Sequence, residues 1–231
     1  MRIVFVEARS RQDLLMPKSV LNKIRDLGKN IGLITTVQHA HKIKELKEQL
    51  EGIGKNVFLA KGSLTKHKAQ ILGCDVTAAI RIKDKVDFFI YVGSGRFHPI
   101  EVAFRTKKKV FVYNPYSKKL GAIDEKDVKK YEARIRTGRI AFLEAENIGL
   151  LVSQKPGQKK LGLALELKEK IKRKGKNAFI LLFDTLDFSQ LENFSFIDCF
   201  VNTACPRMID DYDKFPRPVV NYEFIIEFLN S

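Results

Sequence analysis

Tryptophan is absent from this 231-residue chain, and cysteine and methionine occur only three times each. Long apolar runs are absent too: "FFIYV" and "AFILLF" fall far short of the roughly 20 residues a membrane-spanning helix needs. The N-terminus runs straight into "RIVFVEAR", without the layout of a secretory signal, so a cytoplasmic protein is expected. An odd number of widely spaced cysteines does not make a disulfide framework; core thiols, a metal or cluster site, or catalysis remain. There is no CxxC, no HExxH and no second cysteine pair. His39 and His41 face different ways at the start of a helix, and His67 and His98 stand apart from them, so a structural zinc site is not expected. Nucleophile-elbow and Walker spacings are missing as well.

What is present describes a folded α/β protein. The chain is 45% hydrophobic and 10% aromatic, and its length allows one large domain or two ordinary ones. A net charge of +15 calls for an acidic partner, whether protein or nucleic acid, or a tolerant solvent. Much of that charge lies in runs such as "TKKKV", "YSKKL" and "EKIKRKGKNA", which read as solvated helix ends and turns. Short β-rich runs alternate with segments of helical period, the pattern of parallel strands with crossover helices. Strands are expected near 2–8, 31–36, 56–60, 87–93, 109–113, 148–153, 177–183 and 197–203. Helices are expected near 13–27, 38–51, 75–83, 98–106, 158–173, 187–193 and 222–229. A long helix at 124–146, acidic at its start, would bridge two Rossmann-like α/β domains with parallel sheets, roughly 1–120 and 121–231. No short-period repeat interrupts the chain, although the halves resemble each other in architecture.

The unusual polar residues follow the expected strands. "VQHAH", "GSGRFHP", "YSKK", "QKPGQ" and "CPR" come after five of them, and ligands of open α/β sheets bind at the carboxyl ends of strands. In "GSGRFHP" the glycines allow close backbone approach, and the next helix would offer amide groups to a carboxylate or phosphate, with Pro99 suited to its first turn. "SQKPGQ" follows the same logic; read alone, either segment is equally a tight turn. Cys199 lies in the apolar strand "IDCFV" and reads as packing. Cys205 follows that strand beside Asn202, Thr203, Pro206 and Arg207. Cys74 closes "HKAQILGC" and would begin a helix that favours its thiolate. Six residues of extended chain span about 20 Å, so Cys199 and Cys205 could share a cluster only if the chain folded back. Cys74 is therefore paired with Cys205, one from each domain.

"TTVQHAH", "QILGCD", "YVGSGRFHP", "VYNPYS", "VSQKPGQ" and "FVNTACPRMIDDY" resemble, in order and spacing over essentially the whole chain, segments of archaeal diphthamide synthase, the 2-(3-amino-3-carboxypropyl)histidine synthase family. The resemblance implies two of three similar α/β domains, each domain lending one cysteine to a 4Fe-4S cluster that binds S-adenosylmethionine. It implies cleavage of a C–S bond in that cofactor to a 3-amino-3-carboxypropyl radical, which adds to a histidine of translation elongation factor 2. On it, Cys74 and Cys205 are the cluster ligands of the family's second and third domains. Nothing here corresponds to the first domain or its cysteine, so a separate polypeptide carrying both is expected, and with it an oligomer. A silent binding subunit of the same pathway and a basic RNA-binding protein are the alternatives. By position, Gly93, Ser94 and Gly95 suit the cofactor's carboxylate. Gln38, His39, His98, Lys155 and Gln158 are candidates for its amino and carboxyl groups or adenosine, and Arg207 could bind a carboxylate bidentately.

Overall fold

The structure is a computed structural model and describes residues 4 and 6–230. The chain divides into two compact units, Met1–Lys129 and Lys130–Ser231. The first contains α1 (Lys18–Arg25), β1 (Asn30–Thr35), α2 (Val37–Ala40), α3 (Ile43–Glu51), β2 (Asn56–Phe58), α4 (Thr77–Ile80), β3 (Phe88–Val92), α5 (Phe97–Thr106), β4 (Lys109–Asn114) and β5 (Lys119–Ala122). The division falls inside α6 (Glu125–Glu144). The second unit continues with β6 (Asn147–Ser153), α7 (Leu161–Arg173), β7 (Asn177–Phe183), β8 (Cys199–Asn202), β9 (Val219–Asn221) and α8 (Ile226–Asn230).

Each unit is a mostly parallel sheet. The first has strand order β2-β1-β3-β4-β5, parallel except for β5; the second has order β7-β6-β8-β9, parallel throughout. In the first, alternate strand residues feed two cores. Ile31, Leu33, Phe88 and Ile90 pack under α1 and α3 with Val20, Ile24, Leu46 and Leu50, while Ile34, Phe89 and Tyr91 join Ala78, Ala79, Val102 and Ala103 on the other face. The second unit buries Ile148, Leu150 and Val201 with Leu167 and Ile171 of α7. Its other core, around Leu151, Phe200 and Val219, is covered by 3-10 segments, Ser189–Phe194 and Pro206–Lys214, rather than by a full helix.

Several expectations need correction. The strand expected near 2–8 lies partly outside the described residues, and residues 4 and 6–8 form no strand. The helix expected at 13–27 is only Lys18–Arg25, because Pro17 sits at its N-cap. The helix at 38–51 breaks after Ala40, and that at 187–193 is 3-10. Strands β5 and β9 were not expected: "KLGA" alternates weakly, and "VVN" is three residues between a proline and a tyrosine.

The amino ends of the strands are locked by the same polar device in both units. In the first, the Asn30 amide donates to Asp87 Oδ2 (2.8 Å) and the Asp87 amide returns a bond to the Asn30 carbonyl (2.9 Å). Asn56 Nδ2 donates to Asn30 Oδ1 (2.9 Å), and Lys55 Nζ donates to the carbonyls of Arg25, Leu27 and Gly28 (3.0, 2.7 and 3.2 Å). In the second, Asn147, Asp198, Asn177 and Lys176 repeat the pattern. The Asn147 amide donates to Asp198 Oδ2 (2.8 Å), Asn177 Nδ2 to Asn147 Oδ1 (3.0 Å), and Lys176 Nζ to the carbonyls of Leu143 and Ala145 (2.7 and 2.6 Å). Carbonyls at helix C-termini lack intrahelical partners, and the ammonium satisfies them while meeting the negative end of the helix dipole. Next to each clamp is a glycine that cannot be replaced without cost: a Cβ at Gly32 would lie 2.4 Å from the Phe89 ring and one at Gly149 2.8 Å from Phe200.

Lys55→Met keeps the aliphatic stem but leaves three carbonyls without their donor. It should lower unfolding free energy by about 1–3 kcal/mol in urea titrations, and Lys176→Met, which is less buried and serves two carbonyls, by less.

Candidate functional site

Strand order determines where a ligand can enter. In the first unit the chain leaves β1 toward β2 on one side and returns as β3 on the other; in the second it leaves β6 toward β7 and returns as β8. Each reversal opens a crevice at the carboxyl ends of the two central strands. The candidate residues flank these two crevices.

In the first unit, α2 follows β1 after one residue and carries Gln38 and His39. Gln38 is exposed, and its carbonyl accepts the Ser10 amide (2.9 Å). His39 is 1% exposed. Burial, then the nearby His41 and Lys42 charges, hold its imidazole below the usual histidine range, so it is neutral at pH 7. Its Nδ1 is buried without a hydrogen-bond partner, although Tyr116 packs edge-on 6.2 Å away. Buried polar atoms are nearly always paired, so this nitrogen is a vacant acceptor or donor at the end of β1.

Beside it, β3 runs into Gly93, Ser94 and Gly95. Gly93 has φ +157° and is buried, its amide donates to the Tyr113 carbonyl (3.0 Å), and a Cβ there would strike the Tyr91 hydroxyl at 2.7 Å. Ser94 and Gly95 are exposed, and a Cβ at Gly95 would meet nothing within 4 Å. Helix α5 starts at Phe97 with Arg96 at its N-cap and no side-chain cap, while Pro99 sits in its first turn. His98 stacks on Tyr91 with ring centroids 6.0 Å apart. Arg96 is engaged by Asp127 and, at 3.6 Å, Asp124.

Cys74 is placed differently from expectation. Helix α4 begins at Thr77, and Cys74 lies before it in a two-residue turn between the bridged residues Leu72 and Asp75. The helix end therefore does not act on its thiol; Asp75 takes that place, accepting the Thr77 amide (2.9 Å) and the Leu64 amide (2.6 Å). Burial would raise the Asp75 carboxyl, but the Thr77 hydroxyl, those amides and Arg81 outweigh it and hold it below the usual carboxylate range. The segment leading to Cys74 runs beside the end of β1: Thr35 exchanges backbone bonds with Ala69 and Ile71 (2.8 Å each). Cys74 itself is exposed.

In the second unit, β6 ends at Ser153, whose Oγ accepts the Lys155 amide (3.1 Å). Lys155 is exposed, and Gln158 lies in a turn closed by Gly157 at φ +81°. Helix α7 begins only at Leu161, so Gln158 is not at its N-terminus as expected. Cys205 follows β8, half-buried, and caps the Pro206–Lys214 segment. Two asparagines hold its loop. Asn202 Nδ2 donates to the Cys205 carbonyl (2.8 Å) and to Asn221 Oδ1 (2.7 Å), Asn202 Oδ1 accepts the Ala204 amide (2.9 Å), and Asn221 Nδ2 donates to the Pro206 carbonyl (3.1 Å). Asn221 was missed because β9 was missed. Arg207 projects outward, 3.6 Å from Asp210, whose carboxyl burial pushes above its usual range against that guanidinium. Cys199 is fully buried among Ile148, Val201 and Ile225, and burial pushes its thiol up to about 12. Among the described residues no three His, Cys, Asp or Glu side chains are grouped to hold a metal ion, and no helix is long and apolar enough to cross a membrane.

Known proteins share this sequence and this arrangement. The 2-(3-amino-3-carboxypropyl)histidine synthase of Pyrococcus horikoshii is 34% identical over 221 residues, which are 94% of this chain and 62% of that protein. The protein of that name from Methanocaldococcus jannaschii is 26% identical, over 93% of this chain and 56% of its own length. A Yarrowia lipolytica relative named as subunit 1 of the synthase is 29% identical over 87% of this chain and 46% of its length. The crystal structure of Dph2 from Pyrococcus horikoshii with a 4Fe-4S cluster matches with a TM-score of 0.77 and 31% identity, over 92% of this chain and 60% of that one. The chain thus spans less than two thirds of these relatives. The family model for diphthamide synthesis proteins matches residues 1–228, and the chain belongs to that family.

Proposed function

We propose that this chain takes part in transferring a 3-amino-3-carboxypropyl group from S-adenosylmethionine to a histidine of translation elongation factor 2, the first step of diphthamide synthesis. The contrast among its three thiols carries the reading: Cys199 is sealed in a core, whereas Cys74 and Cys205 are accessible in loops beyond the carboxyl ends of strands. These two are the thiolates these residues can offer a 4Fe-4S cluster, and the remaining protein ligand lies outside them. Such a cluster, when bound, supplies the electron that breaks the cofactor's C–S bond.

The chain's own residues bind and orient. In the Gly93–Gly95 turn the Gly93 amide is spent on Tyr113, so the amides of Ser94 and Gly95 are the ones assigned to the carboxylate, with no side chain at Gly95 to obstruct it. The vacant His39 Nδ1 is a neutral hydrogen-bonding partner for the amino acid portion or adenosine, with Gln38 beside it. Lys155 and Gln158 are assigned the same task at the end of β6. Arg207 is exposed enough to meet a carboxylate from outside. Asn202 and Asn221 position Cys205 by fixing its own carbonyl and that of Pro206 after it. The basic surface suits a folded acidic partner.

Iron and acid-labile sulfide should be present in protein purified without oxygen, lost or sharply reduced in Cys74→Ser and Cys205→Ser, and retained in Cys199→Ser. Retention of a full cluster in Cys74→Ser or Cys205→Ser would overturn the assignment. Asn202→Ala should raise the alkylation rate of Cys205 in apoprotein and cost about 1–3 kcal/mol of stability. Cys199 should stay unmodified at pH 8 until denaturant is added, as its raised thiol requires.

A further inference from the structure

The segment "KGSLTKHK", residues 61–68, is a loop with almost no freedom. Its ends are joined by a bridge between Lys61 and Lys68 and by the Ala69 amide, which donates to the Ala60 carbonyl (2.7 Å). Inside, side chains take the place of regular structure. The Gly62 amide donates to Thr65 Oγ1 (2.9 Å), Ser63 to Thr77 Oγ1 (2.8 Å), Leu64 to Asp75 Oδ2 (2.6 Å), and Lys66 and His67 both to Gln70 Oε1 (3.1 and 3.0 Å). Thr65, Gln70 and Asp75 are buried, and the Arg81 guanidinium donates to the Lys61 carbonyl. The loop closes on Ala69 in the left-handed region, φ +63°, a conformation a residue with a Cβ adopts only when its surroundings impose it.

What this rigid frame displays is a single leucine. Leu64 is 69% exposed at the tip; Lys66, two residues on, and Lys61 and Lys68 at the loop's bridged ends are exposed too. Residues 61–74 contain no acidic side chain, and the first one after them, Asp75, is buried and spent on the loop's own amides. A preorganised apolar knob on a lysine-bearing loop binds with little ordering cost, as a recognition epitope should. Nucleic acid would suit the charge but not the knob: the loop has no Phe, Tyr or Trp for base stacking, and its one histidine is held by Glu7 at 2.8 Å. The Leu64 amide is bonded to the residue that follows Cys74, so whatever grips the loop arrives beside that thiol.

We propose that the 61–68 loop is a docking epitope for a folded protein partner whose surface carries an apolar notch rimmed by aspartate and glutamate. The inference rests on the reading that the reaction's acceptor is a protein, and that acceptor is the partner assigned here. The test uses the assembled, anaerobically purified protein as wild type, Leu64→Asp and Lys66→Glu/Lys68→Glu, with elongation factor 2 as the probe in kinetic binding measurements at low and high salt. Leu64→Asp should weaken binding about tenfold or more, since a buried apolar anchor is replaced by a charge facing carboxylates. The double lysine variant should associate more slowly with a flattened salt dependence. Iron content and melting temperature should match the wild type in both. If the wild type binds the factor and Leu64→Asp binds it equally well, the docking inference falls and the proposed function stands. If the wild type does not bind the factor, both fall. A variant that loses affinity for a single-stranded oligonucleotide but not for the factor would also overturn the inference.

Discussion

The clamp at the amino ends of the strands is the constraint on which both units depend. A parallel sheet must place its strands in register before any crevice at the opposite edge has a defined shape. Here register is pinned by an asparagine pair and an aspartate, Asn30–Asn56 with Asp87 and Asn147–Asn177 with Asp198, each bonding to backbone or amide groups on neighbouring strands. The lysine before the second asparagine ties the helix that precedes the sheet to the same corner. With one edge held so firmly, the loops at the other can carry an exposed and a half-buried thiol, an open glycine at Gly95 and the partnerless Nδ1 of His39.

The same clamp shows what could and could not be read from sequence. The motifs "GKNVF" and "GKNAF" stand at residues 54–58 and 175–179, and "NIGL" at 30–33 and 147–150. The similarity of architecture was legible, but the correspondence of residues behind it was overlooked, because its long spacing is not a short-period repeat. Alternation of strands and helices was legible because buried parallel strands read as apolar runs, as "FFIYV" does with all five residues buried. Of the 3-10 segments over Phe200, Ser189–Phe194 was legible as a helix though not as a 3-10 turn, whereas Pro206–Lys214 was read only as the continuation of the cysteine loop. Strand β9 has three residues, all buried, and only its hydrogen bonds to β8 distinguish it from a loop.

At the candidate site, position was more legible than environment. That Gln38, His39, Gly93–Gly95, Lys155 and Cys205 follow strands could be seen in the order of residue types. That His39 is sealed while Gln38 beside it is exposed depends on packing from elements far along the chain, Tyr116 among them. The Cys74 setting was misjudged for a similar reason. A cysteine before "DVTAAI" suggests a helix N-terminus, but the aspartate competes for the same amides and wins, because a carboxylate is a stronger acceptor than a thiolate and lies one residue closer.

That competition has a consequence for reactivity. Had Cys74 capped α4, its sulfur would have been drawn into the backbone and its geometry set by the helix. With Asp75 accepting from both Thr77 and Leu64, the turn that carries Cys74 is anchored by the neighbouring carboxylate. At Cys205 the backbone is held by another route: Asn202 and Asn221 bind the carbonyls of residues 205 and 206. In both units a neutral or anionic oxygen-bearing side chain holds the backbone beside the cysteine. Under the proposed function, holding the backbone through a neighbouring side chain fixes the position of each thiol for a soft metal. Cys199, whose sulfur lies 3.7 Å from the Phe200 carbonyl inside a closed core, marks the opposite limit.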